Sequence, residues 1–408
     1  MTNPRKIVVI GGGPAGTWAA ISAKKQDPAA EVTLLDVEQH EPYEKPPLSK
    51  GVLTGKVKFN DALIAGAKGL AGHGVVFERN AVCTAIDGNA KTVATQGGKT
   101  YGYDALVLAT GSLARELPSL PLGMPRVHYL RTEAHAQALK TELEKAKNVV
   151  IVGAGLIGLE VASSARTLGV NTIVLEVAPR ILARVTDEQT GARIHAAHTA
   201  HGVDIRLNTG MSGVSMLPDG RIGVIAGGET LPVDLAVVGA GAIADTKLAA
   251  GAGLAIDNGI VVDELGRTSD PNIFAAGDVV RFPGPQGLVR LEDWRHAQDH
   301  GTIVGKNAAG ASEAYRPVPS FWSEQYDLYL QGVGWPPATP GKYLHRPLPG
   351  NASLVFQVEG TQMIYALAIN AQRDIASARR LIERKIAVNE ADLLDPAKPL
   401  ADMLKAKA

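Results

Sequence analysis

With 408 residues, 45% of them hydrophobic and 20% charged, the chain is too long for a single core and too apolar for extended disorder, so two or three folded domains are expected. Lys and Arg balance Asp and Glu at 41 each, which excludes a net field drawing the protein to nucleic acid or an anionic membrane. The single cysteine, Cys83, excludes an internal disulfide, a Cys-x-x-Cys redox pair and a cysteine-held iron–sulfur cluster. No apolar span of about 20 residues escapes charge or glycine, and the apolar run at the N-terminus is too short for a signal segment, so a cytoplasmic protein is expected.

In chain order, residues 6–10 read as an apolar strand, followed by Gly11-Gly12-Gly13-Pro14-Ala15-Gly16 and a helical pattern to about Gln26. A second strand over 31–35 ends at Asp36. The proline-marked segment 42–50 follows, then a strand within 75–82 leading to Cys83, read as a buried, inert thiol. Residues 103–109 read as a buried strand ending Ala109-Thr110-Gly111. The opening pattern then returns. Residues 148–152 form an apolar run, followed by Gly153-Ala154-Gly155-Leu156-Ile157-Gly158, a helix to about Leu168, and a strand over 171–175 ending at Glu176. Residues 234–238 close this copy at Gly239-Ala240-Gly241. A further strand at 272–276 ends in Gly277-Asp278-Val279 and returns the chain to the first domain. Beyond residue 320 the pattern changes to strands at 326–334, 353–359 and 362–367 and a helix at 375–385, a separate C-terminal domain. Residues 283–285 and 335–340 read as proline-rich surface loops.

Each copy is a strand, a G-x-G-x-x-G turn, a helix and a second strand ending in an acid. The first glycine makes the tight turn, the second lets the backbone approach a pyrophosphate, and the third lets helix pack on strand. The anion rests on the helix N-terminus. Asp36 and Glu176 stand about 20 residues beyond their third glycines, where an acid meets ribose hydroxyls. One such turn is weak; two, each with its acid, indicate two dinucleotide-binding folds. An acid at Glu176 favours a free 2′-hydroxyl over a 2′-phosphate, hence NADH over NADPH, with Arg180 close behind as the opposing signal.

The N-terminal cradle, Pro42-Tyr43-Glu44-Lys45-Pro46-Pro47-Leu48-Ser49-Lys50, Ala109-Thr110-Gly111, Ala276-Gly277-Asp278-Val279, Glu292-Asp293-Trp294 and Phe321-Trp322-Ser323-Glu324-Gln325 stand in the order of one group. Along nearly its whole length the chain resembles the FAD-dependent, NADH-linked ferredoxin reductases of bacterial ring-hydroxylating dioxygenase and cytochrome P450 systems, within the glutathione-reductase-like flavoproteins. The resemblance implies an α/β protein with two Rossmann-like domains and a C-terminal α+β domain. It places FAD binding in 1–112 and 239–319, NAD binding in 113–238 and the C-terminal domain in 320–408.

The same resemblance implies FAD contacts from Gly11, Gly13, Pro14, Ala15, Gly16, Asp36, Lys45, Pro47, Ala109, Thr110, Gly111, Gly277, Asp278, Glu292, Trp294, Ala297 and Trp322. It implies NADH contacts from Gly153, Gly155, Leu156, Ile157, Gly158, Glu160, Glu176, Arg184, Gly239 and Gly241, and no metal. Lys50 is implied to lie beside the flavin ring with Glu160 as its partner; on the residues alone, a solvated lysine and an ordinary helical glutamate serve as well. Asp278 alone reads equally as a turn residue, and Trp322 as a core tryptophan. Glu292, Trp294 and the helix start are expected to offer N–H groups to the flavin. Two positions depart from the group: Lys45 replaces its usual arginine, and 242–245 run Ala-Ile-Ala-Asp.

The implied reaction carries hydride from NADH to FAD and then single electrons to a small [2Fe-2S] ferredoxin, expected to be of the Rieske type, in aromatic catabolism. Related disulfide reductases need a cysteine pair by the flavin and peroxidases one cysteine; Cys83 stands at neither place. An NADH oxidase or diaphorase, or an NADH-responsive redox-sensing binding protein, are the competing readings. The basic residues Arg290, Arg295 and Lys306 are candidates to meet an acidic ferredoxin, and the protein is expected as a monomer or homodimer.

Overall fold

A computed structural model describes residues 3–336 and 341–405. The chain forms two compact units. The first contains Met1–Pro47, Val57–Leu113 and Ala242–Pro317; the second contains Leu48–Lys56, Ala114–Gly241 and Val318–Ala408.

The first unit is built on a five-stranded parallel sheet. Lys6–Ile10 lies between Glu31–Leu35 and Ala105–Leu108, with Ile273–Ala275 beyond Ala105–Leu108 and Val76–Glu78 beyond Glu31–Leu35. The central strands are apolar on both faces, because both are covered. On one face the helices Pro14–Gln26 and Trp294–Ala308 pack closely. A Cβ at Gly301 would stand 2.2 Å from the Ala15 carbonyl oxygen, and one at Gly305 2.1 Å from that of Ala19. Only glycine permits this approach.

The second unit repeats the parallel sheet. Asn148–Val152 pairs with Asn171–Leu175 and Leu235–Val238, flanked by Val203–Arg206 and Val127–Tyr129. An antiparallel sheet of Ser320–Gln325, Leu328–Gly334, Gln362–Ile369, Ala352–Glu359 and Leu344–Leu348 is apolar on both faces. Leu330, Val355, Leu367 and Ile369 join the core of Val149, Ile151, Leu159 and Val237. The alternate residues Leu354, Phe356, Ala366 and Ala368 pack with Ile375, Ala378 and Leu381 of the helix Gln372–Glu383.

Several expected elements differ. The strand expected within 75–82 is Val76–Glu78, but Cys83, expected to follow it directly, opens the next strand, Cys83–Asp87, of an antiparallel sheet. Cys83 is only partly buried, and that burial, with the nearby Asp36, pushes its thiol to about 11. Residues 283 and 284 are no loop; they end the strand Val280–Gly284, which contains the buried Phe282 and hairpins to Gly287–Val289. The strand expected from residue 326 starts at Leu328, because Tyr326 takes φ 57° in a turn. The last long helix starts at Gln372. The loop expected at 335–340 falls partly outside the described residues.

Candidate functional site

In the first cradle the crowding follows the division of labour among the glycines. A Cβ on Gly11 would stand 2.3 Å from the Ala109 carbonyl oxygen, and one on Gly16 1.9 Å from that of Gly11. At Gly13 a Cβ would meet nothing within 4 Å. The outer glycines are dictated by the protein itself, whereas the middle one keeps a space clear beside the N-terminus of Pro14–Gln26. The second cradle repeats the arrangement: Gly153 against Gly239 at 2.5 Å, Gly158 against Gly153 at 2.1 Å, and open space at Gly155. Both cradles therefore fit a dinucleotide pyrophosphate.

The two acids occupy matching places. Asp36 lies against Gly12, accepts from the Val37 N–H at 2.9 Å, and has its carboxyl raised chiefly by burial. Glu176 accepts from the Ala154 N–H at 2.7 Å and the Ala178 N–H at 2.8 Å. Arg180, the opposing signal, turns to the Ala183 carbonyl at 2.8 Å, and Arg184 is exposed. Leu156 and Ile157 form the first turn of Leu156–Thr167, Ile157 exposed; Gly241 takes φ 97°.

The remaining first-unit residues gather around the strand ends. Asp278 accepts from the Ser112 hydroxyl at 3.1 Å. Ala15 and Ala297 both lie against Gly277. Thr110 donates to the Asp245 carbonyl at 2.6 Å, while the Asp245 N–H donates to Gly111 at 3.0 Å. The departure at 242–245 is thus tolerated here, since Asp245 contributes backbone atoms alone to these contacts. Lys45, the other departure, reaches Glu38 at 3.0 Å and the Tyr43 hydroxyl at 2.9 Å. Trp294 donates through its indole N–H to Glu44, whose carboxyl is raised by burial. Asp293 caps the helix Trp294–Ala308 and takes the His296 N–H at 2.7 Å, so that N–H is engaged within the helix end. Pro47 lies in the short helical turn Pro46–Ser49.

A buried aromatic group that leaves no local mark in the sequence lies behind Gly277. His296, His300, Phe282 and Tyr315 stack together, with ring centroids 4.4–5.7 Å apart. The Gly277 N–H donates to His300 Nδ1 and its carbonyl meets His296 Nε2, each at 3.4 Å. Burial holds both imidazoles neutral, His296 down to about 4 and His300 well below its usual value.

In the second unit Lys50 and Glu160 meet at 2.9 Å. Glu160 is 4% exposed and also accepts from Ser49 at 2.5 Å and Ser323 at 2.6 Å. Helix Leu156–Thr167 anchors both approaching segments, for Ser164 donates to the Ser49 carbonyl at 2.8 Å and Ser163 accepts from the Tyr326 N–H at 3.1 Å. Ser49 and Ser323 sit inside the motif segments but escaped notice, because their shared partner is remote in sequence. Trp322 alternates with Ser323 along the strand and so projects from its opposite face.

The basic candidates are each committed to an acid: Arg290 to Glu292 at 2.6 Å, Arg295 to Asp299 at 2.8 Å and Lys306 to Glu313 at 2.9 Å. They do not form a set of uncompensated positive charges.

The chain belongs to the pyridine nucleotide-disulphide oxidoreductase family, whose model matches residues 5–301, and a Reductase C-terminal model matches residues 320–404. It is 35% identical to a rhodocoxin reductase of Rhodococcus erythropolis over 95% of this chain and 92% of that one. It is also 35% identical to the ferredoxin–NAD(+) reductase component of a p-cumate 2,3-dioxygenase system of Pseudomonas putida, covering 97% and 98% of the two chains. Among solved structures, the covalent putidaredoxin reductase–putidaredoxin complex matches with TM-score 0.94 and 30% identity, over 99% of both chains. Among the described residues no helix is long and apolar enough to cross a membrane.

Proposed function

We propose that this protein is an NADH-dependent flavoprotein reductase that passes electrons to a small [2Fe-2S] ferredoxin serving a ring-hydroxylating dioxygenase or a P450 oxygenase. The observation carrying this reading is the pair of cleared cradles, each with its acid, in one chain that also pairs Lys50 with a buried glutamate. The names of relatives fit, two of them being ferredoxin–NAD(+) reductase components of p-cumate 2,3-dioxygenase and anthranilate 1,2-dioxygenase systems.

In this reading Gly11, Gly13 and Gly16, with Pro14, Ala15, Asp36, Lys45 and Pro47, hold FAD, together with 109–111, Gly277, Asp278, Glu292, Trp294, Ala297 and Trp322. Gly153, Gly155 and Gly158, with Leu156, Ile157, Glu160, Glu176, Arg184, Gly239 and Gly241, hold NADH. The FAD-binding domain comprises 1–112 and 239–319, the NAD-binding domain 113–238, and 320–408 form the third. Held by these residues, FAD would supply an acceptor for the hydride of NADH and a donor of single electrons.

The chain's own residues bind, orient and stabilise charge. The cradle N–H groups and helix N-termini hold the pyrophosphates. Asp36 and Glu176 fix the riboses. Lys50 supplies a positive charge where negative charge gathers during reduction, and Glu160 holds that ammonium in place. Cys83, raised to about 11, offers no thiolate for a sulfur relay. The ferredoxin is of the Rieske type, the protein cytoplasmic, and its assembly a monomer or homodimer.

The test is anaerobic mixing of the purified yellow protein with NADH, followed by cytochrome c reduction with and without a Rieske ferredoxin. The expected result is bleaching by NADH and cytochrome c reduction dependent on ferredoxin. A protein that stays oxidised, or that reduces cytochrome c equally well without ferredoxin, refutes the reading. Lys50→Ala should slow single-turnover bleaching by about 10²-fold with FAD still bound, and an unchanged rate removes Lys50 from the mechanism.

A further inference from the structure

The Lys50–Glu160 pair is the end of a longer chain of hydrogen bonds. Ser323 donates to Glu160 Oε1, leaving its own oxygen to accept from Gln325 Nε2 at 3.0 Å. The Gln325 amide oxygen then faces His198 Nε2 at 2.8 Å, and His198 Nδ1 faces the Tyr326 hydroxyl at 3.3 Å. Glu160, Ser323, Gln325 and His198 are all buried, none more than 4% exposed.

The donor directions follow from the glutamate end. A carboxylate paired with lysine only accepts, so Ser323 gives it the hydroxyl hydrogen. Gln325 must therefore present its NH₂ to Ser323 and its oxygen to His198. His198 must in turn carry its hydrogen on Nε2 and accept the Tyr326 hydroxyl on Nδ1. Burial holds this imidazole neutral, which the tautomer requires. Every donor points toward Glu160. A glutamine amide in the middle makes the chain unsuited to carry a proton, but a series of dipoles aligned on an anion reinforces itself. Its outer end is Tyr326, stacked 3.7 Å from the exposed His201 ring.

We propose that His198, Gln325 and Ser323 are positioning residues that fix the rotation of the Glu160 carboxylate. Oε1 stays on Ser323, and Oε2 is left to Ser49 and Lys50. The functional meaning of this relay rests on the proposed role of Lys50. It adds residues from the helix Glu188–Ala200 and the strand Ser320–Gln325 to the groups that set that lysine's charge in place.

The test is the rate at which Lys50 is acetylated by acetic anhydride in the FAD-loaded protein, read by mass spectrometry against the exposed Lys25 of the same molecule. Ser323→Ala and His198→Leu should each raise the relative rate about threefold, the effect of one lost hydrogen bond on the pair. The double variant should be no faster than Ser323→Ala, because His198 acts through Ser323. His198→Gln, which retains an N–H toward Gln325, should restore the parental rate. Gln325→Leu carries the same expectation as His198→Leu should the latter fail to fold. Multiplying effects in the double variant, an unchanged or slower rate in His198→Leu and Gln325→Leu, or no rescue by glutamine would overturn the relay. The labelling needs neither NADH nor an electron acceptor, so it gives its answer even if the protein proves not to oxidise NADH.

Discussion

Gly158 lies so close to Gly153 that a Cβ on the former would stand 2.1 Å from the carbonyl oxygen of the latter. Backbone, unlike a flexible side chain, cannot swing away, so Gly158→Ala must push the helix Leu156–Thr167 off its strand. The expected cost is about 1–3 kcal/mol of stability, with NADH affinity lowered at least tenfold and FAD retained. Gly16→Ala in the first cradle should instead release FAD. Thermal melts and flavin content of the two variants check this; equal loss of both nucleotides in each would sink the division of the cradles.

Glu176 is held by two backbone N–H groups, from Ala154 and Ala178, which fix where its negative charge stands. Glu176→Ala removes the charge that repels a 2′-phosphate. The preference for NADH over NADPH should fall by about tenfold, the size of one close charge–charge repulsion partly screened. Steady-state kcat/KM for both coenzymes decides, and an unchanged ratio assigns selectivity to other residues.

Three buried histidines make the protein sensitive to acid. His198 and His296 are lowered to about 4 from 6.5, and His300 is lowered well below 6.5, in each case chiefly through burial. Their folded-state values lie below the unfolded one, so the unfolded chain binds more protons in between. The stability is complete above about 6.5 and is lost as pH falls from there toward 4. The urea midpoint should drop steeply between pH 6.5 and 4.5, and His296→Asn combined with His300→Gln should flatten that drop. A parental midpoint that stays level over this window contradicts the assignment.

Cys83 should behave as a silent thiol. With its ionisation pushed to about 11, its reaction with a disulfide reagent at pH 8 should run at least tenfold slower than that of a free thiol. Cys83→Ser should leave NADH oxidation and ferredoxin reduction unchanged. Loss of either rate in that variant would show that a sulfur takes part.

The features legible in the sequence are those whose causes are local. A glycine needed against the preceding turn, an acid at the end of the next strand and an apolar run between turns all carry their reasons within about 30 residues. Ser49 and Ser323 gave no such sign, since each is defined by Glu160, more than a hundred residues away. The strand Leu344–Leu348 was missed because Pro347 argues against a strand, and it is tolerated there at the edge of the sheet. The sheet of Met211–Met216, Ile222–Ala226 and Glu229–Val233 went unread for a related reason: its segments are short, glycine-marked and, at Pro232, interrupted. Gly301 and Gly305 were readable in principle, as small residues four apart on one helix face, but nothing local names their partners Ala15 and Ala19.

The strand Ile273–Ala275 completes the first parallel sheet beside Ala105–Leu108, although most of the second unit's nucleotide fold is encoded between them. As the ribosome delivers the chain, the opening sheet must therefore wait with one border exposed while a whole further sheet is synthesised. The second cradle's sheet has all its strands by Leu235–Val238, although its core is finished only when Leu330, Val355, Leu367 and Ile369 arrive. In this polypeptide the sheet begun first is therefore the later of the two to gain its last strand.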